Sequence, residues 1–168
     1  EFVAASNFGK WTREHLIDPI VYFPERVEWR NYEASYDVAE LEPADRSEYS
    51  YGLREYFVPV ERFDEFHVLM RDIFQRNKAN IINVSVRQAK ADPNTLLNWA
   101  KTEVFAFVVY YRQGTDAEAK AAVKVWSSEM IDAAIAMGGA YYLPYQLQAS
   151  SEQFAAAYPK AQEYFALK

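Results

Sequence analysis

The sequence predicts an α+β domain built on a four-stranded antiparallel sheet with two helices on one face. Over residues 53–145 the apolar pattern switches between strand and helix periods in the order β-α-β-β-α-β. Residues 80–87 alternate strictly between apolar and polar side chains, which is typical of a strand with one covered face and one open face. A long helical pattern between Thr115 and Gly138 separates the last two strands.

Local patterns define each element of this arrangement. Residues 104–111 are apolar on both faces, which indicates a central strand. Thr115, with Glu118 three residues later, forms a capping-box pattern at the start of the longest helix, and Gly138 supplies its stop. We therefore expect strands at 53–60, 80–87, 104–111 and 141–143, and helices at 61–76, 95–101, 115–137 and 151–167. This order of elements is that of the ferredoxin-like fold.

The flanks of this core carry their own signals. Residues 1–26 contain two Xaa-Pro interruptions and predict an irregular entry arm. Residues 27–38 suit an extra N-terminal strand, and residues 39–50 an exposed, charged loop. With the C-terminal helix added, the predicted domain spans residues 27–168. Because the chain has no initiating Met and ends within a helical pattern, we expect a domain excised from a longer protein.

Composition excludes several classes of function. The net charge of −6 and the lack of any basic run argue against nucleic-acid binding. The absence of cysteine removes disulfides, thiolate nucleophiles and cysteine metal sites. No apolar run approaches the roughly 20 residues of a membrane span, and no signal-peptide pattern opens the chain, so we expect a cytoplasmic protein. The aromatic share of 17% fits either an aromatic core or an aromatic wall beside a ligand.

Motifs for metals and nucleotides are missing from the sequence. The two histidines, His15 and His67, are far apart and lack metal-ligand spacing, so no metal site is predicted. The five glycines form neither a dinucleotide fingerprint nor a phosphate loop, and no serine lies in a nucleophile-elbow motif. Nucleophilic catalysis therefore has no support in the sequence.

A polar row on one strand is the first candidate site. Asn83, Ser85 and Arg87 point away from the apolar side of their strand, and Glu55, which alternates with Phe57, is expected to join them. Two interpretations stay open. The row is either the solvated face of an antiparallel sheet, or a hydrogen-bonding roof in which Arg87 contacts an anionic or hydroxylated group of a ligand.

Motifs spread along the chain carry a resemblance to a known family. They are residues 53–59, residues 63–66, Asn83-Val84, Gly138-Gly139 with Tyr142, Phe154, and Tyr158-Pro159. In this order and spacing they resemble the C-terminal half of FAD-linked oxidases of the vanillyl-alcohol oxidase and p-cresol methylhydroxylase type. The pattern is similar to that of decaprenylphosphoryl-ribose oxidases and of sugar-alcohol and aldonolactone oxidases. The resemblance covers residues 27–168.

The resemblance implies that two domains have separate roles. Family members join an N-terminal FAD-binding domain to a C-terminal cap domain, whose sheet covers the flavin ring and supplies the substrate pocket. This chain resembles the cap alone. The implied partner is the FAD-binding domain of the same parent chain, and the implied cofactor is FAD held by that domain. The implied substrate is an alcohol, sugar or lactone that is oxidised by hydride transfer to flavin, and the chain by itself is expected to be inactive.

The resemblance also implies site residues. Glu55 falls where the ribose oxidases have a pocket glutamine, and Tyr145 falls where they have an active-site lysine. Both are implied catalytic residues that help to remove a hydroxyl proton from the substrate. Because both differ from the family pattern, a prenyl-phosphate sugar is not the expected substrate. The implied substrate- or flavin-facing residues are Asn83, Ser85, Arg87, Phe105, Phe107, Tyr142 and Gln146.

Two other interpretations stay open. A free-standing ferredoxin-like module would bind a small ligand, or would form a homodimer with Asn83, Ser85 and Arg87 buried between two copies. A small cofactor-free enzyme of the dimeric α/β-barrel type would need a catalytic histidine or aspartate pair, which the sequence does not offer. The first alternative makes the chain a binding or dimerisation module without catalysis.

Overall fold

A computed structural model describes residues 7–21, 23, 27, 29 and 46–168. The chain divides into two compact units, residues 1–43 and residues 44–168, and each is described by itself.

The described part of the first unit is helical. Helix α1 (Asn7–Thr12), a π-helical turn (Arg13–Ile17) and helix α2 (Asp18–Val21) follow one another without a break. The expectation of an irregular arm is therefore wrong for these residues. Pro19 is tolerated because it lies in the first turn of α2. The wider π-helical turn before it also changes which backbone N–H and C=O groups form hydrogen bonds with each other.

The second unit is an α+β domain with a four-stranded antiparallel sheet, as predicted. Its strands are β1 (Tyr49–Pro59), β2 (Ile81–Ala89), β3 (Val104–Gly114) and β4 (Ala140–Tyr141), in the order β2-β3-β1-β4. Helix α3 (Phe63–Arg76) connects β1 to β2, and helix α4 (Ala117–Ala136) connects β3 to β4. Helices α5 (Ser151–Ala157) and α6 (Ala161–Ala166) follow the sheet.

The core lies between one face of the sheet and helices α3 and α4. Tyr56 on β1 lies directly opposite Phe107 on β3, so the two rings share this face. Phe66 from α3 packs edge-on against Phe107, with ring centroids 4.9 Å apart. Trp126 from α4 packs in the same way against Tyr111, at 5.0 Å. These three contacts bury the apolar stripes of both helices against one side of the sheet.

Strand β2 has two distinct faces, but its alternation is interrupted. Ile81 pairs with Tyr111 and Asn83 pairs with Tyr110, so Ile82 is an extra residue in the register. Beyond this bulge, Val84 and Val86 share the helix-covered face with their partners on β3. Ser85 and Arg87 therefore point to the opposite face. The predicted alternation holds after the bulge and fails before it.

Three local expectations differ from the structure. Residues 95–101 form bends and turns, because Asp92 accepts hydrogen bonds from Asn94 and Thr95 and closes a turn where a helix was expected. The cap of α4 is Asp116, which accepts from the Ala119 N–H at 2.8 Å, while the Thr115 hydroxyl donates to the Ser47 carbonyl. The last predicted helix is two helices, because Pro159 interrupts it.

The chain around Gly138 ends α4 as predicted. Gly138 adopts the left-handed conformation, with φ of 78°. Its N–H donates to the Ile135 carbonyl and that of Gly139 donates to the Ala134 carbonyl, which closes the helix end.

Most of the predicted strand at 27–38 lies outside the described residues, and the two that are described, Val27 and Trp29, belong to no strand. Of the predicted loop at 39–50, residues 46–48 are irregular, whereas Tyr49 and Ser50 already belong to β1. In the part of the chain that is described, no helix has the length and apolar character needed to cross a bilayer.

Candidate functional site

The sheet has a second face, turned away from α3 and α4, which we call the open face. Antiparallel partners point to the same side, so the register defines its rows. One row runs from Ser85 through Val108 to Glu55. The next row runs from Arg87 through Ala106 to Phe57. Polar and charged side chains therefore lie on both sides of a small apolar strip on β3.

Two chain segments cover one end of the open face. Trp99, from the loop between β2 and β3, stacks on Phe57 with ring centroids 4.1 Å apart and planes inclined by 23°. Tyr142, which follows β4, packs edge-on against the same ring at 6.3 Å. Phe57 is 1% exposed as a result. We call Trp99 and Tyr142 the aromatic wall.

The loop that carries Trp99 is held by its own hydrogen bonds. The Asp92 side chain accepts from Asn94 and from the Thr95 hydroxyl, and the Asn98 amide donates to the Asp92 carbonyl. The Asp92 N–H in turn donates to the Ala100 carbonyl at 2.8 Å. These hydrogen bonds hold the loop in one shape, so the Trp99 part of the aromatic wall is preorganised without a ligand.

Glu55, Arg87 and Tyr145 form the charged part of the site, which we call the open-face cluster. Burial raises the pKa of the Glu55 carboxyl, and the positive charge of Arg87 lowers it. Burial also raises the pKa of the Tyr145 phenol, as do the charges of Glu55 and Tyr142, whereas Arg87 lowers it. Each of the three groups thus acts on the others across the open face. No ion pair joins Glu55 to Arg87 in the described part of the chain.

The structure brings most of the predicted site residues together. Glu55, Asn83, Ser85 and Arg87 share the open face, where the Asn83 amide donates to the Ser85 hydroxyl at 3.2 Å. The rings of Tyr142 and Tyr145 contact each other beside them, with centroids 5.0 Å apart. Gln146 is mostly exposed, and both of its oxygens accept hydrogen bonds from Arg54.

Phe105 and Phe107 lie elsewhere. Both point to the helix-covered face of β3, because they are directly opposite Val58 and Tyr56. Phe105 packs against Phe63 at 5.3 Å, and Phe107 is 1% exposed. Their place is the core between the sheet and α3. The small residues Ala106 and Val108 hold the corresponding positions on the open face.

Two residues near the site had no signal in the sequence. Trp99 lies in an irregular loop, where no periodicity predicts which way a side chain points. Lys101, from the same loop, donates to the Gly139 carbonyl at 3.5 Å, and burial lowers the pKa of its amine. The Asp92-Pro93-Asn94 turn is the only local hint that this loop has a fixed shape.

A cavity of about 360 Å³ lies at the far end of β1 and β3, away from the open-face cluster. Its lining residues are Glu48, Tyr49, Asn80, Arg112, Gln113 and Gly114. The Arg112 guanidinium lies over the Tyr49 ring, 3.7 Å from its centroid. This cavity contains none of the predicted site residues.

The open face combines charged, polar and aromatic groups. Among residues 7–21 and 46–168, no group of three histidine, aspartate or glutamate side chains is arranged to hold a metal ion. A half-buried carboxylate, a guanidinium and a phenol converge beside two aromatic rings, a combination that can bind a small polar molecule with a flat or apolar side. Comparison of the chain with protein-family models, curated proteins and solved structures finds no significant match.

Proposed function

We propose that this chain is the substrate-binding cap domain of an FAD-dependent oxidoreductase that oxidises an alcohol, sugar or lactone. The observation that carries the proposal is the open-face cluster of Glu55, Arg87 and Tyr145 beside the aromatic wall. It supplies a proton acceptor, a cation and a hydroxyl donor on one surface. A sheet with one helix-covered face and one functional face is what a cap over a flavin ring needs.

We assign the second unit to the ferredoxin-like class. In support, α3 connects β1 to β2 while β3 lies between them, and α4 connects β3 to β4 while β1 lies between them.

The residues of this chain fit a substrate better than they fit a nucleotide. The open face offers hydrogen-bonding and aromatic groups, whereas the five glycines of the sequence form no phosphate-binding loop. In the proposed enzyme the FAD-binding domain of the parent chain therefore holds the cofactor. FAD, when bound there, supplies the acceptor for the hydride.

The cluster then has distinct roles. The Glu55 carboxylate accepts the proton of the substrate hydroxyl as the carbon loses its hydride, so that the alcohol becomes a carbonyl. Its raised pKa makes it a better base than an exposed carboxylate. Tyr145 donates a hydrogen bond to the substrate oxygen, and the Arg87 guanidinium binds a second oxygen of the substrate. The aromatic wall packs on the apolar side of the molecule.

The test is made on the full product of the parent gene. It should purify with bound flavin and lose its flavin colour when an alcohol, sugar or lactone substrate is added without an electron acceptor. Glu55→Gln should lower kcat/KM by at least about 100-fold, since a general base is lost. Gln88→Ala is the matched control, because Gln88 is an exposed neighbour of Arg87 on the other face of β2.

Two results would overturn the proposal. One is a parent gene that encodes no FAD-binding segment, or a product that fails to take up FAD. The other is a Glu55→Gln enzyme that is as active as the Gln88→Ala enzyme. A compact homodimer with the open face buried between two copies would favour the dimerisation module instead.

A further inference from the structure

Arg54 is a buried cation on the helix-covered face of β1. It is 6% exposed and lies opposite the core residue Val109. No carboxylate pairs with it in the part of the chain that is described. A charge held away from water needs strong polar contacts to offset the loss of hydration. The contacts of Arg54 therefore indicate its structural role.

Two of those contacts are hydrogen bonds to one residue, and the Tyr111 hydroxyl is a further polar neighbour of the guanidinium. Nη1 of Arg54 donates to the backbone carbonyl of Gln146 at 2.5 Å, and Nη2 donates to its side-chain Oε1 at 3.1 Å. The planar guanidinium places two donors side by side, a geometry that lysine cannot reproduce. Arg54 thus binds a main-chain and a side-chain oxygen of the same residue, 92 positions away in the sequence.

The bound segment packs against the core through Leu143 and Ala149 but has few other hydrogen bonds to the sheet. The last backbone bond between this part of the chain and the sheet is from the Tyr142 N–H to the Glu55 carbonyl, at 2.9 Å. Beyond the turn at 143–144, the residues up to 149 have no regular secondary structure before the cap of α5 at Ser150. The two bonds from Arg54 tie this segment to the sheet.

We propose that Arg54 is the positioning residue of the open-face cluster, which it serves from the opposite side of the sheet. By fixing Gln146 it fixes the neighbouring Tyr145, whose ring contacts that of Tyr142. Arg54 and Glu55 are adjacent on β1 and point to opposite faces. Strand β1 therefore carries both Arg54, which holds the segment in place, and Glu55, the group towards which Tyr145 is to be positioned. The catalytic meaning of this role rests on the proposed function, but the positioning does not.

The test uses the chain itself, with its 13 tyrosines labelled at Cζ and followed by NMR as the pH is raised. Tyr145, identified by Tyr145→Phe, should ionise above the ordinary tyrosine pKa and show a ring contact to Tyr142. Arg54→Lys keeps the charge and removes the fork. In that variant we expect the pKa of Tyr145 to fall towards its ordinary value and the ring contact to be lost.

Controls separate positioning from general stability. Tyr158, buried and hydrogen-bonded to the Tyr141 carbonyl, should be unchanged in the Arg54→Lys chain. If that chain does not fold, Gln146→Ala serves instead, because it removes only the side-chain acceptor. It should lower the pKa of Tyr145 in the same direction but by less. Gln146→Glu keeps an oxygen at that position and should keep the ring contact between Tyr145 and Tyr142.

An unchanged Tyr145 in a folded Arg54→Lys or Gln146→Ala chain would overturn the inference. So would a change in Tyr145 that is always matched by one in Tyr158, because that pattern means general loosening. Failure of the parent product to bind FAD would leave these NMR results untouched, so the two proposals fail separately.

Discussion

Trp99 stacks on Phe57 across the open face, with their ring centroids 4.1 Å apart. The contact joins the loop between β2 and β3 to the C-terminal part of β1, on the side of the sheet that is turned away from α3 and α4. It places a large aromatic surface beside the open-face cluster. It also gives this side of the sheet a small apolar core of its own.

Replacing Trp99 should affect both stability and binding. Trp99→Ala removes the stack on Phe57 and opens a space that the loop cannot fill, at a cost of about 2 kcal/mol in the free energy of unfolding. Urea unfolding of the chain measures this. Leu147→Ala is the control, because Leu147 is 89% exposed, and its cost should stay within about 0.5 kcal/mol. Equal costs would contradict the assigned role of Trp99.

The pKa of Glu55 predicts a pH-dependent effect on stability. Because that pKa is raised on folding, the folded chain keeps a proton that the unfolded chain has already lost. The free energy of unfolding therefore falls as the pH rises from the ordinary glutamate pKa through the raised one. Glu55→Gln should be more stable than the parent at neutral pH, and this gain should vanish at acidic pH. Denaturant unfolding at the two pH values measures the gain.

Glu152 provides a control of opposite sign. Its pKa is lowered, first by the hydrogen bond with the Ser150 side chain. The stability it contributes is present above the ordinary glutamate pKa and is lost as the pH falls through the lowered one. Glu152→Gln should therefore be less stable than the parent at neutral pH and equal to it in acid. The same sign for both variants would show that the two carboxyls are not in the surroundings described.

The two glycines after α4 should differ in their tolerance of a side chain. A Cβ at Gly139 would lie 2.0 Å from the Phe57 carbonyl oxygen and 2.9 Å from that of Ala134, so Gly139→Ala forces the backbone to move and should cost at least about 3 kcal/mol. A Cβ at Gly138 meets open space, and Gly138→Ala should cost about 1 kcal/mol for its left-handed backbone. Thermal or urea unfolding ranks them, and the reverse order would refute the close approach of α4 to β1.

Two buried tyrosine hydroxyls should respond differently to removal. Among the described residues, the Tyr56 hydroxyl is buried beside the Ser127 hydroxyl without a hydrogen bond of good geometry, so Tyr56→Phe should be neutral or slightly stabilising. The Tyr158 hydroxyl donates to the Tyr141 carbonyl, so Tyr158→Phe should cost about 1–2 kcal/mol. Matched unfolding curves of the two variants test the contrast. A larger loss for Tyr56→Phe would mean that its hydroxyl is satisfied.

The sequence predicted those features that depend on local periodicity. The strand at 53–60 and the helix at 61–76 are confirmed to within a few residues at their N-terminal ends, because alternation and helical spacing are visible in the chain itself. The placement of Glu55, Ser85 and Arg87 on one face follows from the same alternation once β1, β3 and β2 are paired.

Features that depend on long-range contacts were not predictable. Phe105 and Phe107 were expected near the ligand, but a strand that is apolar on both sides does not reveal which side the helices cover. Trp99 lies in a loop, and its contact with Phe57 arises only when the loop folds back over the sheet. The clamp between Arg54 and Gln146 joins two distant segments, and no short-range pattern contains it.

The opposite orientation of Arg54 and Glu55 also protects the alignment of β1. Tyr56, Phe57 and Val58 are all apolar, so hydrophobicity alone would let this strand slide by one residue with little loss. Such a slide would place a carboxylate under the helices without a cation and would move Arg54 away from Gln146. The two charges thus favour the native pairing of β1 during folding, because a pairing shifted by one residue is electrostatically unfavourable.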